Sequence, residues 1–173
     1  DQPRCDFLAT QKQWPKETTL ENTVTFSNLA FNISFPSGFD KVSVIWNELP
    51  LYVVTYNDKR ITVGVEDVPS EKTSSDFPSL LNDKTQSSWL PIDIFKIIFS
   101  QLPSDIEPAN AYERYLWRTA FLYKAITYAP NSEAFVYLKG PWAAYTAKVG
   151  DPTNDRFTVV THRDYPNRYL TIR

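Results

Sequence analysis

From Asn22 onward the polar and apolar positions of the chain alternate. "TVTFS" (Thr23–Ser27) alternates, and "AFNISF" (Ala30–Phe35) puts Phe31, Ile33 and Phe35 on one face with Asn32 and Ser34 on the other. That is the two-residue period of a half-buried strand. Pro36-Ser37-Gly38 breaks the run, and Gly38 supplies the positive φ of a tight turn. "KVSVIW" (Lys41–Trp46), "LYVVTY" (Leu51–Tyr56) and "RITVGVE" (Arg60–Glu66) follow, the last two joined by the polar Asn57-Asp58-Lys59. The connections are too short for crossover helices, so these strands are expected to pair antiparallel.

The period then changes. Val68–Ser88 is rich in Ser, Asp and Lys and reads as a loop with a short helical turn near Phe77–Leu81. "PIDIFKIIFSQL" (Pro91–Leu102) has Pro at a helix start and apolar residues at Ile92, Phe95, Ile98, Phe99 and Leu102, which is helical spacing. "PANAYERYLWRTAFLYKAITY" (Pro108–Tyr128) is the clearest helix, with Pro108 in its first turn and Pro130 beyond its end. Strands return with "AFVYLK" (Ala134–Lys139), "WAAYTAKV" (Trp142–Val149), "RFTVVTH" (Arg156–His162) and "RYLTI" (Arg168–Ile172), separated by Gly- and Pro-containing turns. A β-rich, helical, β-rich order predicts an α+β fold: a single antiparallel β-sheet of about seven to nine strands with two main helices packed on it. Residues 22–173 read as one domain, and the polar Asp1–Glu21 as an N-terminal leader or tether.

The segment Phe31–Phe39, "FNISFPSGF", resembles the opening hairpin of the PsbP-like fold, which has an "sFsiPsgW" pattern. The likeness spans about Asn28 to Glu66 and departs at Phe39, where the family often has Trp. The resemblance implies an antiparallel sheet flanked by helices and a role in binding proteins without catalysis. Small exported bacterial lipoproteins, some toxin-immunity proteins among them, look like this.

Composition narrows the classes. The chain of 173 residues is 42% hydrophobic, enough for a core, and its 11 Phe, 10 Tyr and 5 Trp leave aromatics over for a surface. A net charge of −2 lacks the footprint of a nucleic-acid binder. No apolar run approaches the roughly 18 residues of a membrane helix. The sequence opens "DQPRC" and contains no Met, so either a leader has been removed or the sequence starts inside the gene. A periplasmic or otherwise extracytoplasmic setting is the expectation. Cys5 is the only cysteine, which excludes an internal disulfide framework. The residues before it lack the small side chains of a lipoprotein cleavage site, so a lipid tether is expected upstream of the chain.

The search for chemistry yields little. The four glycines, at 38, 64, 140 and 150, form no phosphate-cradling loop. His162, the only histidine, lies in "HRD" without the other kinase motifs or a nucleophile, and is expected to pack at the end of a strand. One His and one Cys far apart cannot close a tetrahedral metal site. "GDPTND" (Gly150–Asp155) lacks the central Gly and distal Glu of a calcium loop. Acidic residues near loops (Glu48, Glu66 and Asp67, Asp105 and Glu107) offer no pair that stands out for glycoside hydrolysis. No catalytic residue, metal or cofactor is expected.

The long helix is more informative. Tyr112, Tyr115, Leu116, Thr119, Leu122, Tyr123 and Ile126 form an apolar stripe for the sheet. Glu113, Trp117, Phe121 and Lys124 form another, with Arg114 and Arg118 beside it. Either the chain's own loop or first helix covers Trp117 and Phe121, or Arg114, Trp117, Arg118 and Phe121 make an exposed binding patch of the composition favoured at interfaces. The patch is the nominated site, and a protein is the expected partner. The leading expectation is a non-catalytic, exported protein-binding domain, of immunity type or an accessory lipoprotein. The alternatives are a small-molecule, lipid or glycan binder with an aromatic cleft between sheet and helices, and a cofactor-independent hydrolase using carboxylates.

Overall fold

Each alternating run becomes a strand and each helical run a helix. The computed structural model describes residues 7–17, 22–28, 31–47, 49–67, 91–105, 107, 111–150 and 155–173. In chain order the elements are β1 (Ala9–Gln13), β2 (Thr23–Asn28), β3 (Phe31–Pro36), β4 (Lys41–Asn47), β5 (Leu49–Tyr56), β6 (Lys59–Asp67), α1 (Pro91–Ser100), α2 (Ala111–Thr127), β7 (Ala134–Lys139), β8 (Trp142–Lys148), β9 (Arg156–His162) and β10 (Arg168–Ile172). The helical turn expected near Phe77–Leu81 and most of the Gly150–Asp155 turn lie outside the described residues.

The fold is α+β, built on a mixed and mostly antiparallel sheet of 8 strands in the order β1-β7-β8-β9-β10-β6-β5-β4. The strands on either side of the helices thus share one sheet, joined where β6 pairs β10, Val65 opposite Leu170. Two features depart from a single antiparallel sheet. First, β1 runs parallel to β7, Ala9 opposite Ala134. This strand lies inside the stretch expected to be a leader. Its register is held by Phe7, 4% exposed, whose ring packs 5.7 Å from Phe99 and 5.8 Å from Tyr128. Second, β2 and β3 pair only with each other, as a two-stranded sheet laid over the large one. Their alternation is strict, so one face is apolar. The other carries Thr25 bonded to Ser34 and Ser27 bonded to Asn32, each at 2.8 Å.

The large sheet therefore has a core on each side. On one face α1 and α2 pack Ile94, Phe95, Ile98, Phe99 and Ala120 against Tyr145, Ala147 and Val159. On the other, Phe31 and Phe35 of the hairpin pack against Tyr52, Val54, Val63, Val65 and Leu170. Turn chemistry matches local sequence. Asn57 and Asp58 both have positive φ, 43° and 65°, the two-residue turn whose twist suits a β-hairpin. Gly140 takes φ 55° ahead of Pro141 between β7 and β8. Among the described residues no helix is long and apolar enough to cross a membrane.

Candidate binding surfaces

The sequence patch on α2 does not form as one surface. Ala120, Lys124 and Thr119 are buried at 0%, 1% and 5% exposure, and Leu116, Trp117, Phe121 and Tyr123 pack partly buried against the helix-side core. Arg114 and Arg118 are exposed, and Ile126, placed on the apolar stripe by sequence, is 65% exposed. At ~100° per residue the helix is rolled by roughly a third of a turn from the orientation its apolar stripe suggests. Lys124 explains the roll. Its Nζ donates to the Phe7 carbonyl at 2.7 Å and to the Gln101 carbonyl at 3.2 Å, and lies 4.2 Å from the Phe7 ring centre. A lysine that satisfies two carbonyls, one at the C-terminal end of α1, can lie inside with its apolar stem packed. Of the two outcomes the sequence left open, Trp117 and Phe121 are half-buried against the helix-side core while Arg114 and Arg118 stay in solvent. The side chains of Tyr112 and Tyr115 lie outside those described.

A second candidate surface lies on the other face of the sheet. The β2–β3 hairpin packs over β5, β6 and β10, and its cluster reaches Trp142 of β8 and Val160 of β9. On that face the pleat presents Phe135 and Tyr137 from β7, beside Ala144 and Thr146 from β8, by direct cross-strand register. Both rings are half-buried, with Ala144 and Thr146 beside them buried, and their centres are 6.3 Å apart. Lys12 of β1 sits over Phe135 at 3.6 Å, and the Arg156 guanidinium approaches it at 5.5 Å. Cations at that distance are drawn to the ring face. At one end of this face Trp142 packs against Phe31 at 5.9 Å and against His162 at 4.5 Å. Tyr165, 46% exposed, continues the row 5.3 Å from His162. Lys139 pairs with Glu17 at the same end, and that hydrogen bond holds the Glu17 carboxyl below its ordinary range.

His162 closes β9, where its Nδ1 accepts a hydrogen bond from the Asp164 amide at 3.1 Å and its ring is held between Trp142 and Tyr165. At the opposite end of β9 a cleft of ≈390 Å³ is lined by Arg60, Thr62, Asp155, Arg156 and Arg173. Sequence reasoning missed the two surfaces for different reasons. β7 and β8 carry apolar residues on both faces, so alternation alone does not say which face the helices cover. The arginines of the cleft are scattered over three strands. Among the described residues no three His, Cys, Asp or Glu side chains converge as a metal site would require. No family model, no curated protein and no solved structure matches the chain.

Proposed function

We propose that the chain is a non-catalytic binding domain acting through protein–protein contact, and that its contact surface is the aromatic face of β7 and β8 with the rim at Trp142 and Tyr165. The observation that carries this reading is the aromatic row from the half-buried Phe135 and Tyr137, with Lys12 and Arg156 against Phe135, to the exposed Tyr165 at the rim. Large rings lose little conformational freedom on docking, and aromatic and arginine side chains dominate binding energy at interfaces. Of the rim cations of this face, Lys139 pairs with Glu17 and Arg156 with Glu133, while Lys12 lies on the Phe135 ring.

An immunity-type or accessory lipoprotein role, outside the cytoplasm and tethered upstream, is the specific form of this proposal. The resemblance of Phe31–Phe39 to the PsbP-like fold supports it, and occlusion of a toxin's active site is one such role. The test begins with capture of the partner from the native source and its identification. Its affinity is then measured for Tyr137→Ala and Tyr165→Ala. Tyr137→Ala should weaken the complex by about 2 kcal/mol at unchanged Tm. Unaltered affinity in both variants would remove this face from the reading, and recovery of the protein in the cytoplasmic fraction would remove the setting.

A further inference from the structure

The end of the sheet away from Trp142 brings together the start of β6, the start of β9 and the end of β10. Antiparallel pairing alone places Arg60, Arg156 and Arg173 there. The smaller cavity, ≈390 Å³, is lined by three arginines and Asp155. Arg156 pairs with Glu133 and Arg173 with Asp155, both in solvent-exposed ion pairs. The arginines are also held. Thr62 and Arg173 exchange both backbone hydrogen bonds, at 2.7 and 2.9 Å. Arg156 is fixed by Glu133, donating from Nη1 to its carbonyl and from Nη2 to its carboxylate, each at 3.1 Å. Arg173 lies 3.5 Å from Asp155, whose own carbonyl accepts from the Val149 amide at 2.8 Å.

We propose that this cleft binds a phosphate-bearing small molecule, with the phosphate on Arg60 and Arg173 and the organic body in the adjoining hollow. Guanidinium groups match phosphate oxygens in fork geometry, and such charge-assisted bonds are the strong ones. Thr62 adds a hydroxyl to the same wall. The Arg173–Asp155 pair is 44% and 49% exposed, and exposed pairs are weak. An incoming phosphate can therefore displace Asp155 from Arg173. The hollow, ≈870 Å³, shares Arg60 and Asp155 with the cavity; Pro36, Tyr56 and Ile61 form its apolar wall, and Ser37, Asp58 and Lys59 its polar one. The Tyr56 ring is fixed, its hydroxyl donating to the Pro36 carbonyl and its edge meeting Phe39 at 6.2 Å. It offers a flat apolar surface to a ring-bearing body.

The experiment titrates the intact chain with inorganic phosphate and with phenyl phosphate at constant ionic strength, followed by amide NMR shifts. Saturable shifts are expected at residues 60–62 and at Arg173. Phenyl phosphate should bind about tenfold more tightly, the scale of burying a modest apolar group. Arg60→Ala and Arg173→Ala should each weaken binding about tenfold or more, as expected for charge-assisted bonds, while Arg114→Ala on α2 leaves it unchanged. Asp155→Asn should tighten binding by removing the competing carboxylate, an increase that a merely structural role for Asp155 does not give. Circular dichroism of each variant separates misfolding from lost affinity. Shifts that do not saturate, or that persist unchanged in the folded arginine variants, overturn the site. Equal affinity for the two phosphates overturns the role of the hollow.

Discussion

On one face of the sheet α1 lays Ile94, Phe95, Ile98 and Phe99 over the core, none more than 1% exposed. On the other, the β2–β3 hairpin lays Phe31 and Phe35, both 5% exposed, while Val24 beside them stays 37% exposed and Phe26 and Ile33 half-buried. The first cover is a helix with a wide apolar stripe, backed by a second helix. The second is two short strands with three inward positions each, and a lone hairpin is marginal without the sheet beneath it. The covers are also offset. Helix α1 sits over β7, β9 and β10, the hairpin chiefly over β5, β6 and β10. Opposite the helices, the hairpin side of β7 and β8 carries Phe135 and Tyr137, both half-buried. The tight cover fixes the strands from behind, and the proposed contact face lies in front.

This contrast predicts unequal costs. Phe99→Ala should destabilise the fold by about 4–5 kcal/mol, because α1 is locked between α2 and the sheet and cannot close the cavity. Phe35→Ala should cost about 3 kcal/mol, since the thinner hairpin can settle into the space. Denaturant unfolding measures both, and hydrogen exchange should show hairpin amides opening at lower free energy than those of α1. A larger cost for Phe35→Ala would reverse the ranking of the two covers.

The hairpin and α1 were legible because each is apolar on one face only, so period alone oriented Phe31, Ile33 and Phe35 and the Phe95–Phe99 stripe. β1 was not, since Thr10–Gln13 are all exposed and a polar edge strand paired through its backbone has no apolar period. That β2 and β3 stand apart was also hidden, because alternation specifies a strand but not its neighbour. The α2 roll depended on one buried lysine that reads as a surface residue. The candidate face depended on where the hairpin stops, which is a tertiary fact.

Trp117 sharpens the comparison on the helix side. It packs half-buried on the core, so Trp117→Ala should destabilise by about 2 kcal/mol, below the 3–5 typical of a fully buried ring. Partner affinity should not change. A loss of affinity at unchanged Tm would instead return the contact surface to α2, with Arg114 and Arg118.

Tyr128 tests the tight core from a different side. It is 2% exposed among Phe7, Phe99 and Phe157, and its hydroxyl has no hydrogen-bond partner among the described residues. Burial raises its pKa well above the ordinary tyrosine value, and raises those of Tyr123 and Tyr145 in the same direction. With the folded value above the unfolded one, their contribution is complete below pH ~10 and is lost as pH rises past it, because only the unfolded chain then releases the protons. Tyr128→Phe should raise stability by about 1 kcal/mol at pH 7, by removing a buried unpaired hydroxyl, and should flatten the alkaline loss. Melting curves from pH 7 to 11 read both effects. A destabilised Tyr128→Phe would mean that the hydroxyl is satisfied by water.

The smallest effect is expected at the rim of the proposed contact face. The His162 ring meets Trp142 edge-on at 4.5 Å and Tyr165 at 5.3 Å, and its Nδ1 takes the Asp164 amide. These contacts order the β9–β10 turn, which is already fixed by backbone bonds from Tyr165 to His162 and from Arg168 to Tyr165, each at 3.0 Å. The Arg168–Asp67 pair at 3.3 Å adds a further tie. His162→Ala should therefore cost about 0.5 kcal/mol of stability, the range of a surface substitution, and leave partner affinity close to wild type. Affinity and Tm measured together decide the matter. A clear loss of affinity at unchanged Tm would make His162 a contact residue and move the centre of the binding surface from Phe135 and Tyr137 to the Trp142 rim. That rim is braced by Phe31 of the hairpin, so binding would then rest on the looser of the two covers.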